Sequence, residues 1–152
     1  MSPFCLAPLI REVVGRLGLP QEACALVGPA ESEALLPRIL TRFTGRVRPG
    51  FWWEQLVVPH ESFRVLDGRS LEHLLQVVPD ATLPVWVVTF WGDPPEVFAS
   101  TPAAIAAVFA ECHLFEFFVV PEDLSWLVGE NHHDYLIAVG EPVASRLRRI
   151  AG

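Results

Sequence analysis

Between residues 114 and 140 the chain reads LFEFFVVPEDLSWLVGENHHDYLIAVG, three apolar runs separated by polar breaks. The runs 114–120, 124–129 and 135–139 are rich in aromatic and aliphatic residues, which suits strands. Glu130, Asn131, His132, His133 and Asp134 separate the last two runs without a Gly or Pro. Asn and Asp turn the chain through left-handed conformations and through side-chain bonds to the local backbone. The spacing therefore predicts a hairpin with a four- or five-residue loop. Side chains alternate across a strand, so Trp126, Val128 and Glu130 share one face and Leu127 and Gly129 the other. In an extended turn His132 and His133 point in opposite directions.

The rest of the chain reads as support for this meander. Leu9, Ile10, Val13, Val14 and Leu17 mark one helical face over 7–17. Pro8 suits the first turn and Gly18 the end of that helix. Residues 19–26 predict a short helix stopped at Gly28-Pro29. Leu36, Leu40 and Phe43 predict a second helix that starts near Leu36 or is kinked at Pro37. Arg38, Arg42 and Arg46 fall on its polar side. Residues 56–59 and 63–66 read as short strands. Ser70 is placed to cap a helix with Leu71, Leu74, Leu75 and Val78 inward. The run 84–91 is apolar on both faces, which predicts a central strand. Val97-Phe98 predicts a brief strand, and Thr101-Pro102 opens a helix with Ile105, Val108 and Phe109 inward. A basic helix over 142–150 closes the chain. The order predicts one α+β domain: a largely antiparallel sheet with a C-terminal strand meander, N-terminal helices, and one or two short helices packed on it.

Composition narrows the function. A chain of 152 residues that is 51% hydrophobic builds its own core and is not disordered. No apolar run approaches the ~20 residues that span a bilayer, and Arg11 and Glu12 interrupt the N-terminal pattern, unlike a signal peptide. A cytoplasmic protein without a membrane partner is the expectation. Cys5, Cys24 and Cys112 form no CxxC pair, so they read as reduced thiols. Lysine is absent, which excludes lysine chemistry. Charge is uneven: residues 50–140 hold thirteen acidic side chains against Arg64 and Arg69, a net charge of −11, while both ends are mildly basic. Such acidity disfavours nucleic acid, and it either attracts a basic protein partner or serves only solubility.

The run 130–134 carries the candidate chemistry. His132 and His133 beside Glu130 and Asp134 are ligand types for zinc or iron, but adjacent histidines aim poorly at one ion. His60, His73 and His113 are the remaining imidazoles. No metal and no other cofactor is therefore expected. Glu130 with either histidine makes an acid–base pair on paper, and a small hydrolase or metal-dependent enzyme using Glu130, His132 and His133 is the alternative function. No nucleophile elbow, phosphate loop or dinucleotide glycine pattern accompanies it, so no catalytic residue is assigned. Two readings of the run stay open: a turn held by Glu130, Asn131 and Asp134, or a recognition tip in which His132 and His133 bind. Trp126, Trp52 and Trp53 are candidate aromatic anchors for the second.

The phrase Trp126-Leu127…Glu130-Asn131-His132-His133-Asp134, preceded by Phe115-Glu116-Phe117-Phe118 and followed by Gly140, resembles an uncharacterised family of small bacterial proteins. Those carry the pattern F-E-Y-Y…W-L-x-x-E-N-H-H-D…G. Phe117 and Phe118 stand here where that family has Tyr. The resemblance implies no activity. The element order is also similar, more loosely, to the SUKH superfamily of immunity proteins, which bind and neutralise toxins. That likeness implies a binding protein of immunity type, and the acidity of residues 50–140 would suit a basic toxin as its partner.

Overall fold

The computed structural model describes residues 5–45, 56–90, 95–112 and 116–151. Among these described residues five helices, α1 (Ala7–Arg16), α2 (Pro29–Thr44), α3 (Ser70–Val77), α4 (Pro102–Phe109) and α5 (Val143–Ala151), pack on a sheet. Its seven strands are β1 (Cys24–Leu26), β2 (His60–Arg64), β3 (Val85–Thr89), β4 (Glu96–Ser100), β5 (Phe117–Pro121), β6 (Leu127–Glu130) and β7 (Tyr135–Val139). They run in the order β1-β4-β3-β5-β6-β7-β2, and every neighbouring pair is antiparallel. The fold is α+β, with β5, β6 and β7 forming the C-terminal meander.

Both faces of the sheet are covered. On one face, Ile10, Val13, Leu74, Ile105, Val108 and Leu147 from α1, α3, α4 and α5 pack against Val85, Val87, Phe117, Val119, Val128 and Leu136. On the other, Leu35, Ile39, Leu40 and Phe43 of α2 meet Val88, Phe118, Val120, Leu127 and Ile137. Alternation along β3 sends Val85 and Val87 to the first layer and Val88 to the second, which is why its sequence is apolar on both sides. Complete burial of a side chain such as Phe118 contributes about 1.5–3 kcal/mol. Thr101 caps α4 by accepting from the Ala104 amide at 3.2 Å. Glu96 reaches across from β4 to accept from the Leu6 amide at 2.6 Å, stabilising the start of α1.

Several local expectations are corrected. Residues 19–26 form a 3₁₀ turn, Gln21–Ala23, and then the strand β1, because β4 offers its edge to Cys24, Ala25 and Leu26. The second helix begins at Pro29, which serves as its first residue. Pro37 lies inside it on the exposed side, where the carbonyl deprived of a donor faces water. Residues 56–59 are not a strand, and β2 comes one step later and ends at Arg64. Arg69, not Ser70, is the cap residue of α3; Ser70 is buried and turned toward the sheet. β6 starts at Leu127, since Leu124 adopts a positive φ of 55° in a turn closed by its amide on the Pro121 carbonyl. Trp52, Trp53, Trp91, His113, Leu114 and Phe115 lie outside the described residues.

Candidate functional site

The β6–β7 hairpin closes through residues 131–134. Asn131 is 6% exposed, and its Oδ1 accepts from the His133 amide at 2.9 Å and the Tyr135 amide at 3.1 Å. Its own amide donates to the Tyr135 carbonyl at 3.1 Å. Asp134 works through its backbone: its φ is 66°, its amide donates to the Asn131 carbonyl, and its carbonyl accepts from Val65 at 2.8 Å. The last bond fastens the turn to the end of β2. The Asp134 side chain is exposed. Asp134→Gly is therefore expected to leave the thermal melt unchanged or raise it, while Asp134→Ala costs about 1 kcal/mol for holding a Cβ in the left-handed region. Equal melts for the two variants would show that the turn does not depend on this backbone angle.

Glu130 and the histidines part company. Glu130 pairs with Phe117 and Leu136, both on the four-helix face, and is 7% exposed there. Its carboxyl hydrogen-bonds Ser70 at the start of α3. Burial pushes it above the usual carboxylate range, the Ser70 bond opposes that shift, and the charge of Asp134 adds to it. A raised folded pKa means that the contribution favours folding below the ordinary carboxylate pKa. It is lost as pH rises through the raised value. Glu130→Gln is expected to stabilise the protein near neutral pH, with an advantage that fades toward acid; urea midpoints across pH measure it. An advantage that grows toward acid would contradict the assignment.

His132 finds a different carboxylate. Glu116 precedes Phe117, so alternation turns it to the α2 side, opposite Glu130. Its Oε2 lies 2.9 Å from His132 Nδ1 and 3.3 Å from the His132 amide. A carboxylate only accepts, so Nδ1 carries a proton. The imidazole is half exposed, whereas the Glu116 side chain is 11% exposed. His133 does not diverge from it: the two rings stand 4.0 Å apart, centroid to centroid, at 47°. The turn bends them together, which alternation in an extended strand had placed apart.

Beside the tip lies a cleft of about 240 Å³ lined by His60, Ser62, Asn131, His133, Tyr135 and Ile137. The register His60↔Val139, Ser62↔Ile137, Arg64↔Tyr135 puts these side chains on the α2 face at the end of the sheet. His60 Nδ1 donates to the Val58 carbonyl at 3.3 Å, leaving Nε2 as an acceptor. His73 sits on α3, between Gln76 Oε1 and Asp67 Oδ2 and edge-on to Phe63, away from the cleft. Among the described residues no group of three His, Cys, Asp or Glu side chains is placed to hold a metal ion. Trp126 is 2% exposed and packs in the four-helix layer, so it is not a surface anchor. Its edge only lines a groove at the far end of β6 with Pro79, Pro84, Pro121 and Pro142. Ser62 and Tyr135 were not singled out by the sequence; His60 entered only as a remaining imidazole and Glu116 only within the Phe115–Phe118 motif. The lone charge inside the run FEFFVV was the available signal for Glu116.

An antiparallel α+β sheet with helices on both faces and a polar hairpin tip beside an open cleft defines the class. The chain belongs to DUF6756, a family of unknown function, whose model matches residues 6–151. No curated protein and no solved structure matches it. Among the described residues no helix is long and apolar enough to cross a membrane.

Proposed function

We propose that this chain is a cytoplasmic bacterial binding protein without catalytic activity, and that it neutralises a basic toxin in the manner of an immunity protein. The observation that carries this reading is the placement of His132 and His133. They are exposed at the tip of a hairpin whose buried Asn131 holds the backbone, next to a cleft. Polar groups displayed on a rigid scaffold are suited to recognition. The net charge of −11 over residues 50–140 supports a basic partner. The loose likeness of the element order to SUKH immunity proteins points the same way.

The test is coexpression with the product of the gene adjoining its own. That product is expected to arrest growth, and the wild-type chain to relieve the arrest. The double variant His132→Ala/His133→Ala is expected to lose protection while remaining folded. A harmless neighbour, or full protection by the double variant, would remove the proposal.

A second reading has one observation behind it. Glu116 lies 2.9 Å from His132 Nδ1, the pairing of a carboxylate with an imidazole that orients a general base. Here Glu116 takes the place that Glu130 was expected to fill, since Glu130 is buried on the opposite face. Turnover of a small ester or phosphoester lost on both His132→Ala and Glu116→Gln would favour it.

A further inference from the structure

Four prolines gather where the sheet ends away from the histidine tip. β3 begins after Pro84, and β5 stops at Pro121, whose partner is Val85. α3 ends before Pro79, and α5 begins after Pro142. Proline offers no N–H, which suits it to places where a ladder or a helix stops or starts. The loops 79–84, 121–126 and 140–142 thus leave a groove of about 590 Å³, walled by the four prolines, Leu83 and Trp126. That volume falls in the range of ligand pockets, about 300–1,000 Å³. The described chain runs up to Gly45 and resumes at Leu56 on the other face, where Val57 bonds the Phe43 carbonyl and Leu56 packs with the α2 layer. It is interrupted again after Phe90 and before Glu116, which bond each other at the tip end of β3 and β5. Each internal stretch outside the described residues therefore joins the chain away from the groove.

Two observations point to an occupant. Trp126 is 2% exposed, and among the described residues its indole N–H has no hydrogen-bond acceptor, whereas a buried indole usually has one. The four prolines around it add no donor of their own. The rim, in turn, is acidic. Glu122 and Asp123 line it, and Asp80 and Glu141 are exposed beside Pro79 and Pro142. Among the described residues none of the four is ion-paired. Bonding to the Thr82 amide and hydroxyl keeps the Asp80 carboxyl below the usual carboxylate range, and bonding to the Ser125 hydroxyl and amide does the same for Asp123. Arg146, half-buried, is the one guanidinium bonded next to these loops, its Nη1 donating to the Val78 carbonyl at 2.9 Å. Arg148 is paired with Glu61 and lies, with Arg149, in the last turn of α5. The end of α3 and the start of α5 carry opposite partial charges and offset each other. Four carboxylates thus stand against one cation, which favours a cationic ligand.

We propose that this groove binds a basic, extended peptide segment of a partner protein. An aliphatic or proline side chain of the segment lies on the apolar wall, and one of its backbone carbonyls accepts from Trp126 Nε1–H. Two or three Arg or Lys side chains reach the carboxylates. Those carboxylates sit on three separate loops, so they call for several cations on separate stems around an apolar centre. A single small cation cannot meet them all, and a polyamine has neither the apolar group nor the carbonyl. A second copy does not supply such a segment, since the basic run of α5 is helical and docked on α3 and β2. The inference does not depend on the histidine tip, which lies at the other end of β6. The coexpression test of that tip involves none of these groups, so the two readings fail separately.

The test is selection of a displayed random dodecapeptide library on the intact protein, followed by binding of a synthesised winner. Winners are expected to carry two or more Arg or Lys around an aliphatic residue or proline. A winner is expected to shift the Trp126 Nε1–H resonance and the Ser125 amide in heteronuclear NMR spectra. Glu122→Gln/Asp123→Asn removes two exposed charges and keeps the oxygen that accepts from the Ser125 amide. It is expected to weaken binding about fivefold. Trp126→Phe removes the donor and is also expected to weaken binding about fivefold, the scale of one hydrogen bond. If Trp126→Phe melts early, the resonance shift in the wild type and the carboxamide variant decide. Any of five results overturns the proposal: no enrichment, winners without basic residues, equal binding by the carboxamide variant, shifts at His132 and His133 with none at Trp126, or spermidine bound as tightly as the winner. So does a dimer of the free protein that Glu122→Gln/Asp123→Asn abolishes.

Discussion

Replacing Gly129 by alanine is expected to lower the melting temperature by about 10 °C or more. Gly129 sits in β6 opposite Phe118 of β5. A Cβ there would stand 2.2 Å from the Phe117 carbonyl oxygen, 2.3 Å from Phe118 Cδ1 and 2.9 Å from Phe118 Cα. Two of those atoms are backbone in the middle of the sheet, and Phe118 is fully buried between Phe90 and the α2 layer. Nothing nearby is the loose end of a flexible chain. Relief requires β5 and β6 to separate, which breaks the ladder that supports the hairpin. Overpacking typically costs about 1–3 kcal/mol and occasionally more; a clash with fixed backbone belongs at or above the upper end, about 3 kcal/mol or more, a large part of the 5–15 kcal/mol typical of a domain's whole stability. Thermal melts and urea midpoints of Gly129→Ala against wild type measure it. A variant that melts like wild type would mean that the β5–β6 contact is not as close as described.

The hairpin was legible because its two apolar strands are each long enough to show themselves and the break between them is wholly polar. β3 was legible for the opposite reason: a strand covered on both sides needs no alternation, and 84–91 has none. β1 was not legible. Three residues establish no period, and Cys24, Ala25 and Leu26 are strand only because β4 lies beside them. β2 was displaced because its pattern is polar on the cleft side and only Phe63 anchors the other. In the site, the role of Asn131 follows from local turn chemistry, which sequence spacing carries. The partnership of Glu116 with His132 does not, since sixteen residues separate them and only the register Phe117↔Glu130 brings them together. The pairing of Glu130 with a histidine failed on alternation. The position that puts Glu130 on the face of Val128 sends it to Ser70, while the turn carries the histidines to the other side.

Asn131→Ala is expected to be the costliest change within the turn itself. Its Oδ1 accepts two backbone amides, of His133 and Tyr135, in a position that is 6% exposed. Removing the acceptor leaves both donors without a partner where water has little access, and unsatisfied buried groups cost about 1–3 kcal/mol each. Partial solvent access at the exposed tip lowers that sum, so about 2–3 kcal/mol is expected, or about 5–10 °C in melting temperature. Asn131→Asp keeps an acceptor oxygen in the same place and is expected to recover most of the loss. The double variant His132→Ala/His133→Ala removes two half-exposed or exposed imidazoles, among their contacts the bond to Glu116, and retains the His132 amide bond to that carboxylate. Its expected cost is about 1 kcal/mol. The order Asn131→Ala, then the double histidine variant, then Asn131→Asp separates a residue that shapes the turn from residues displayed on it. Should the histidine pair prove costlier than Asn131, the imidazoles are holding the hairpin, and a tip that must keep them for stability is not free to trade them for a partner.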